Sequence, residues 1–588
     1  MSDTIDYVFR VGGEGGEGVI STGEMLTLAL ARAGFEIYTF RTYPAEIKGG
    51  HANFQVRASG KLLLSYGAAV DVLLAFNEEA YQKHYKDVRS GGVVIYDADS
   101  FTPPSADSLV FYGIPMTSLA TEKVGIKLTK NIVALGVLAQ FFDIPLPLFE
   151  ELLKERFTRK GEMVVQKNLQ ALHIGAEYAK SQQKRESIRL GPGPRKTKEL
   201  VLSGNESFAL GAIAAGCRFY AGYPITPATD IMEFLAKELP KLGGFVLQTE
   251  DEISAIGAVL GASFAGKKAM TATSGPGFSL MTEMMGLAVA AEIPAVIVDV
   301  QRVGPSTGMP TKTEQGDLYL AVYGGHGACP RIVMGLTSVE DCFYGAMHAF
   351  NLSEQFQMPV VVLSDASLGH RKATVPVPDP SKVPVVERRK PTPEELRDYK
   401  RYRLTPDHIS PMSFPGMAGG GYVAEGLEHD EIGYPAASNH EMHLRTTQKR
   451  YGKFHAVEVI ANELVRSYGV ERPEVGIIGW GSTEGVIREA VQMAVDKGYS
   501  VGALHPKILY PQPIAKLKPF IEGAKAIIIP EVNFTGQFAT LLRKRFAYDF
   551  IQLNKCIGLP FSPKEIFDKI EEVANNVRRD QRVHAQNV

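Results

Sequence analysis

Cysteine is scarce in this sequence. Its 588 residues include four cysteines, and no two of them form a Cys-x-x-Cys pair. This scattered pattern argues against a four-cysteine iron–sulfur cluster or a structural zinc site within the chain, and against a secreted disulfide scaffold. The N-terminal segment also lacks a basic region followed by an apolar core, so we expect no secretory signal and a cytoplasmic setting.

An excess of charge of one sign is also missing. Lys and Arg number 63 and Asp and Glu number 65, which gives a net charge of −2. This balance does not favour a nucleic-acid-binding protein, because phosphate contacts need clustered basic residues. No run approaches the ~20 apolar residues of a membrane span. The motifs H-E-x-x-H and G-x-x-x-x-G-K-[ST] are absent, and no metal site is expected in this chain.

What the chain does contain is a repeated alternation of strand and helix patterns. Its length predicts three or four domains at about 100–200 residues each. Short apolar strands followed by helices predict the α/β class, as several three-layer domains with helices on both faces of a parallel sheet. The predicted boundaries are an α/β domain over 1–185, a linker over 186–200, a second α/β domain over 201–375, a linker and extended arm over 376–455, and a third α/β domain over 456–588.

A glycine-rich loop, GGEGGEG, follows the first predicted strand. Its spacing G-x-G-x-x-G, between a strand and a helix, is typical of a loop that binds a diphosphate. Glu14 and Glu17 lie within it, however, and two carboxylates would repel a diphosphate. The loop is therefore either a tight strand–helix turn or an unusual phosphate site.

A second polar, glycine-rich stretch spans residues 43–52 and carries Lys48 and His51. Its glycines allow a close backbone approach to a phosphorylated ligand. The alternative is a solvated connection.

Three strand–helix junctions in the second domain carry the chemistry. They are Tyr223–Pro227, Thr273–Gly277 and the stretch that begins at Gln301–Arg302, while Glu250–Glu252 opens a helix nearby in the chain. If the strands share one sheet, these junctions meet at one edge, where α/β sheets bind ligands. A rigid hydroxyl, a carboxylate, small-residue loops and an arginine suit an organic acid beside a cofactor. Rigid turns, first-turn acids and a strand-end charge are the structural alternatives.

The ordered set of these motifs resembles the α subunit of the 2-oxoacid:ferredoxin oxidoreductases. The N-terminal GGEGGEGV and EIKGGHANFQVR resemble the γ domain of that family, fused in front of α. The resemblance implies a thiamine diphosphate-binding domain of the pyrimidine type, followed by a transketolase C-terminal-like domain. It also implies decarboxylation of a 2-oxoacid, electron transfer through an iron–sulfur cluster to ferredoxin, and acyl transfer to coenzyme A.

The resemblance assigns roles to individual residues. Thr226 and Arg302 would be catalytic and would bind the 2-oxoacid, with Thr311 nearby. Glu252 would be catalytic and would hydrogen-bond the aminopyrimidine ring of thiamine diphosphate. The remaining cofactor-binding residues implied are Tyr223, Pro224, Ile225, Ser274 and Gly275, and the residues that would face coenzyme A are Lys48, Gly49, Gly50 and His51.

The family's G-D-G motif for diphosphate and magnesium is missing, because Gly316-Asp317 continues with Leu318. The resemblance therefore implies a β subunit that supplies the diphosphate site, Mg²⁺ and a [4Fe–4S] cluster, in a dimer of αβ heterodimers. The segment 426–433 and the helix that starts at Glu252 are closer to the 2-oxoglutarate branch. Pyruvate, branched-chain or broad-range 2-oxoacid enzymes remain alternatives, as do a non-catalytic scaffold subunit and a nicotinamide dehydrogenase, which Glu14 and Glu17 disfavour.

Overall fold

The computed structural model describes residues 5–44, 49–104, 106–182, 188–191, 193–194 and 199–586, with side chains to Arg579. Part of the predicted linker 186–200 lies outside these ranges, and so does Lys48. The chain divides into two compact units. The first comprises residues 1–202 and 371–377, and the second comprises 203–370 and 378–588.

The first unit is built on an eight-stranded sheet flanked by helices. Its strands are β1 Asp6–Glu14, β2 Glu36–Thr42, β3 His51–Ser59, β4 Val70–Ala75, β5 Val88–Asp97, β6 Val110–Ile114, β7 Glu199–Ser203 and the later strand Lys372–Pro376, which is β14 in chain order. Its helices are α1 Val19–Arg32, α2 Glu78–His84, α3 Met116–Ser118, α4 Lys130–Phe141, α5 Leu146–Phe157 and α6 Glu162–Lys180.

The sheet of the first unit is mixed, whereas the alternation of strands and helices favoured a parallel sheet. The strand order is β6-β5-β4-β1-β3-β2-β14-β7. The strands β6, β5, β4 and β1 are parallel, whereas β3 pairs antiparallel with both β1 and β2. The sheet is mixed because β3 runs antiparallel to β2 beside it. This strand begins at His51, within the stretch interpreted from its sequence as a loop.

The apolar helix α4 is buried, and it packs closely on α6. A Cβ atom at Gly136 would lie 2.0 Å from the Leu172 carbonyl oxygen. A Cβ atom at Gly175 would lie 2.0 Å from the Val133 carbonyl oxygen. The two glycines therefore let the helix backbones touch, which a larger residue would prevent.

The second unit holds two sheets and most of the helices. Its strands are β8 Phe219–Gly222, β9 Phe245–Gln248, β10 Ala269–Thr273, β11 Ala295–Gln301, β12 Ile332–Gly335, β13 Pro359–Asp365, β15 Val465–Gly469, β16 Val475–Ile478, β17 Val501–Pro506, β18 Ile508–Tyr510, β19 Ala526–Glu531 and β20 Ile551–Asn554. Its helices are α7 Gly204–Ala214, α8 Thr229–Glu238, α9 Glu252–Phe264, α10 Gly275–Leu280, α11 Thr282–Ala290, α12 Leu318–Tyr323, α13 Val339–Phe356, α14 Ala366–His370, α15 His440–Gly452, α16 Phe454–Glu463, α17 Glu484–Asp496, α18 Ile514–Gly523, α19 Gln537–Arg543 and α20 Pro563–Gln586.

Both sheets of this unit are largely parallel. The larger has the order β18-β12-β13-β11-β10-β8-β9, and only β18 is antiparallel to its neighbour. The smaller has the order β15-β17-β16-β19-β20. Every residue of β10, β11 and β13 is buried, which explains their nearly continuous apolar sequences. The α/β class predicted from the sequence is confirmed.

The segment 378–453 runs over the second unit and is fixed by buried charges. Glu292 lies in the loop between α11 and β11, and its carboxylate accepts hydrogen bonds from Lys449 at 2.6 Å and Lys453 at 2.8 Å. Arg388 makes a two-point contact with the buried Glu354, at 2.6 and 2.7 Å. These fully desolvated ion pairs join the segment 378–453 to the rest of the second unit. Removing one partner of a pair would leave an uncompensated buried charge.

Candidate active site

The carboxyl ends of β8, β10 and β11 lie at one edge of the larger sheet, and the three predicted junctions extend from them. The order β11-β10-β8 makes the strands direct neighbours. Arg302, just beyond β11, is 8% exposed, and its Nη1 donates a hydrogen bond of 2.7 Å to the Thr226 carbonyl oxygen beyond β8. The fold therefore brings Thr226 and Arg302 together from positions 76 residues apart in the chain.

Glu252 is the first residue of α9, and it is not a solvated first-turn acid. Asp251 caps the helix by accepting a 2.7 Å hydrogen bond from the Ser254 N–H. The Glu252 side chain instead points inward and is 6% exposed. Its carboxylate lies beside Gly277 of α10, where an added Cβ would be 2.3 Å from Oε1. A buried acid beside a bare backbone is suited to bind a polar ring edge.

The turn between β10 and α10 presents small residues to the same region. Ser274 is fully buried, and its hydroxyl has no hydrogen-bond partner among the described residues. Gly275 follows, and a Cβ there would lie 2.9 Å from Asp317 Oδ2. Buried polar groups are nearly always satisfied, so an orphaned hydroxyl at a strand–helix turn is suited to a ligand contact.

The loop from Arg302 to Asp317 is held by contacts that sequence reasoning missed. The Gln315 side chain donates to the Trp480 carbonyl oxygen at 3.0 Å and accepts from the Val532 N–H at 3.0 Å. The Thr313 hydroxyl donates to Asp365 at the end of β13, at 2.9 Å. Thr311 is half-buried within this loop. The smaller sheet thus fixes the loop, although 165 residues separate Gln315 from Trp480.

Two further carboxyls, Asp299 and Asp317, lie behind the turn, and neither was predicted. Burial raises the pKa of Asp299 well above its ordinary value, and the neighbouring Asp317 raises it further. Burial also raises the pKa of Asp317, to about 6. Burial lowers the pKa of Arg302 although both acids oppose that shift. The sequence signal for this pair was the aspartate within the apolar strand AVIVDVQ. A buried carboxylate without a partner is costly, so an aspartate at such a position indicates a nearby group that interacts with it.

The N-terminal glycine loop of the first unit is occupied by its own glutamate. The Glu17 carboxylate accepts from the Glu14 N–H at 2.8 Å, from Asn77 at 2.8 Å and from Lys130 at 2.6 Å. It fills the place at the start of α1 where a bound anion would otherwise sit. This arrangement favours the tight-turn interpretation over a dinucleotide site.

Among the residues predicted to face coenzyme A, three are described. Gly49 and Gly50 have left-handed backbones, with φ of 82° and 74°. His51 begins β3, and its Nε2 lies 2.8 Å from Nε2 of His84. Burial and the adjacent Arg10 lower the pKa of His84 to about 3. Because Arg10 can only donate to His84 Nδ1 at 3.1 Å, the neutral His84 carries its proton on Nε2 and donates it to His51.

Within the described ranges, no three His, Cys, Asp or Glu side chains form a group that could hold a metal ion. Cys217 and Cys342 are buried, and Cys556 is exposed. The described helices also include none that is long and apolar enough to cross a membrane.

Three family models match the chain. "Pyruvate ferredoxin/flavodoxin oxidoreductase" covers residues 8–178, the thiamine diphosphate-binding domain of the same enzymes covers 210–449, and "pyruvate:ferredoxin oxidoreductase core domain II" covers 473–549. Subunit alpha of 2-oxoacid:ferredoxin oxidoreductase 2 from Aeropyrum pernix is 33% identical over 92% of this chain and 93% of its own. The chain belongs to the 2-oxoacid:ferredoxin oxidoreductases.

Other members of this family are similarly close. The 2-oxoglutarate oxidoreductase subunit KorA of Mycobacterium tuberculosis is 32% identical over 95% of this chain and 90% of its own. A solved structure, the 2-oxoglutarate:ferredoxin oxidoreductase of Magnetococcus marinus with 2-oxoglutarate, coenzyme A and succinyl-CoA bound, is 44% identical with a TM-score of 0.91, covering 96% of this chain and 99% of that one. The predicted family, enzyme class and thiamine diphosphate-binding domain are therefore confirmed.

Proposed function

We propose that this chain is the α subunit of an enzyme that converts 2-oxoglutarate, coenzyme A and oxidised ferredoxin to succinyl-CoA, CO₂ and reduced ferredoxin, or catalyses the reverse. The decarboxylated substrate gives up two electrons, which pass to ferredoxin. The observation that carries the substrate class is the buried Arg302 beside Thr226 at the sheet edge. The similarity to the Magnetococcus marinus enzyme supports 2-oxoglutarate in particular.

Arg302 and Thr226 bind the 2-oxoacid in this proposal, with Thr311 on the loop that follows. A guanidinium keeps its charge at any working pH and offers parallel N–H donors to a carboxylate. The Arg302 Nε is buried and has no hydrogen-bond partner among the described residues. The Thr226 contact fixes the other end of the guanidinium group, so a free donor edge remains for the substrate 1-carboxylate.

The described residues fit thiamine diphosphate at its aminopyrimidine end. The buried Glu252 carboxylate, the bare backbone at Gly277 and the orphaned Ser274 hydroxyl together form a polar edge. Glu252 would hydrogen-bond the ring nitrogen, and Tyr223–Ile225 and Gly275 would line the ring. The bound cofactor supplies the carbanion-stabilising chemistry of decarboxylation.

A β subunit completes the active site in this proposal and carries the diphosphate contacts, Mg²⁺ and a [4Fe–4S] cluster. Four large apolar side chains around the site are exposed to solvent: Tyr223, Ile253, Leu280 and Met309. A group of exposed apolar side chains is typical of a protein interface. Two αβ heterodimers would pair.

Coenzyme A is proposed to meet the stretch from Lys48 to His51. The left-handed glycines keep the backbone bare of side chains, and His51 is held in one orientation by His84. A glycine backbone at a strand start is suited to approach a phosphorylated ligand closely.

The test is viologen reduction by the purified αβ complex, supplied with thiamine diphosphate, Mg²⁺ and coenzyme A. A panel compares 2-oxoglutarate, pyruvate and 2-oxoisovalerate. We expect the highest kcat/KM with 2-oxoglutarate, a loss of at least 10²-fold in Arg302→Ala, and no change in Arg445→Ala, which removes an exposed arginine of α15. Equal kcat/KM across the panel would replace 2-oxoglutarate with a broad 2-oxoacid range. A cofactor-loaded complex without coenzyme A-dependent reduction would refute the proposed reaction.

A further inference from the structure

Asp299 and Asp317 lie in the interior directly behind the proposed substrate and cofactor residues. Asp299 is in β11, opposite Thr273 of β10 in the sheet register, and is fully buried. Asp317 precedes α12, and its Oδ2 is buried against the Gly275 turn. The two carboxyls therefore sit under the turn from Thr273 to Gly275, and Asp299 precedes Arg302 by three residues in the chain.

Both oxygens of Asp299 and Oδ2 of Asp317 are buried without a hydrogen-bond donor from any other described residue. Both oxygens of Asp299 also lie out of contact with water. The two side chains are within hydrogen-bond reach of one another. Two adjacent carboxylates without donors cannot both be ionised in such a place, whereas one shared proton provides both the donor and the charge relief.

The backbone around the pair is fixed, so the two groups cannot move apart. The Asp317 N–H donates to Gln301 Oε1 at 3.1 Å, and Gln301 Nε2 donates to the Ser364 carbonyl oxygen at 2.9 Å. Gln537 of α19 clamps the same segment from the other side, through the Gly316 carbonyl oxygen at 2.7 Å and the Tyr319 N–H at 2.9 Å.

The charge of the pair acts on Arg302. Both acids interact electrostatically with its guanidinium group, which makes no ion pair of its own with any described residue. The other charged group that faces Asp317 is Glu314, on the loop before it. A negative charge behind Arg302 weakens the positive potential that a substrate carboxylate meets at its front.

We propose that Asp299 and Asp317 share a single proton and act as positioning residues that set the charge behind Arg302, and with it the affinity for the substrate carboxylate. This inference rests on the proposed function, since it takes Arg302 as the carboxylate-binding residue. At neutral pH Asp299 carries the proton and donates it to the ionised Asp317. Protonation of Asp317 on acidification makes the pair neutral and strengthens the field of Arg302.

The experiment measures KM and kcat of the αβ complex for 2-oxoglutarate between pH 5.5 and 8. We expect the wild-type KM to rise with pH as Asp317 loses its proton near pH 6. Asp317→Asn removes that charge, so its KM at pH 8 falls about three- to tenfold and no longer depends on pH, while kcat changes less than threefold. Glu314→Gln keeps the wild-type rise, which assigns the titration to the pair.

Asp299→Asn is the decisive companion variant. The amide N–H of the new asparagine replaces the shared proton as the donor to Asp317. We therefore expect KM and its pH dependence to stay within twofold of wild type, although a fully buried carboxyl has been removed. A large loss of activity in a folded, cofactor-binding Asp299→Asn complex would overturn the shared proton. A wild-type pH profile in Asp317→Asn would also overturn the inference, whereas Arg302→Ala without an effect on KM would refute the proposed role of Arg302 instead.

Discussion

Replacing Gly277 with alanine is the sharpest test of the crowded pocket around Glu252. The new Cβ would lie 2.2 Å from Thr273 Oγ1 and 2.3 Å from Glu252 Oε1, whereas ordinary contact starts near 3.4 Å. Both neighbours are buried, so at least one must shift by about 1 Å. A misplacement of that size at a reacting group costs about 10²-fold in rate, or about 2.7 kcal/mol of transition-state stabilisation.

The assay compares thiamine diphosphate affinity, by calorimetry, and viologen reduction in the αβ complex. Gly286→Ala is the matched control, since a Cβ at this α11 position meets no atom within 4 Å. If Gly277→Ala bound thiamine diphosphate with unchanged affinity and turned over within threefold of wild type, Glu252 would not be the residue that meets the cofactor.

Two further predictions concern buried charge in the second unit. Glu292→Gln leaves Lys449 and Lys453 without their carboxylate, so we expect the free energy of unfolding in urea to fall by about 3–5 kcal/mol. A fall of less than 1 kcal/mol would show that these ion pairs do not stabilise the segment 378–453. Burial raises the pKa of Asp341, but Lys507, Arg466 and the Thr337 N–H together outweigh it and lower that pKa to about 2. Because the folded pKa lies below the unfolded one, Asp341 stabilises the fold above about pH 4, and this contribution is lost as pH falls towards 2. The stability difference between wild type and Asp341→Asn should therefore shrink by about 1 kcal/mol from pH 6 to pH 3, and a difference independent of pH would contradict this.

Both sheets of the second unit help to position the site, each in a different way. The larger sheet brings Thr226, Ser274 and Arg302 to one edge. The smaller sheet holds the loop beyond Arg302 through Gln315, which bonds the Trp480 carbonyl oxygen and both backbone groups of Val532. A rigid support of this kind keeps binding groups in place without a contribution from the ligand.

The sequence by itself determined the local elements and the chemical inventory. The bounds of α8, α9, β8 and β10 follow from hydrophobic periodicity and turn residues, because those signals act over a few neighbouring positions. The same local signals failed at β3, His51–Ser59. Its polar Asn53 and Gln55 are buried in a strand that is paired along both edges, so the alternation typical of a half-exposed strand is missing.

Only the tertiary structure decided which of these groups meet. Glu252 has the sequence of an ordinary first-turn acid, and its burial comes from Gly277 on another helix. Asp299 and Asp317 become partners because β11 and the loop before α12 return to the same turn. Such partnerships depend on strand order and on contacts between residues far apart in the chain, and hydrophobic periodicity carries no information about either.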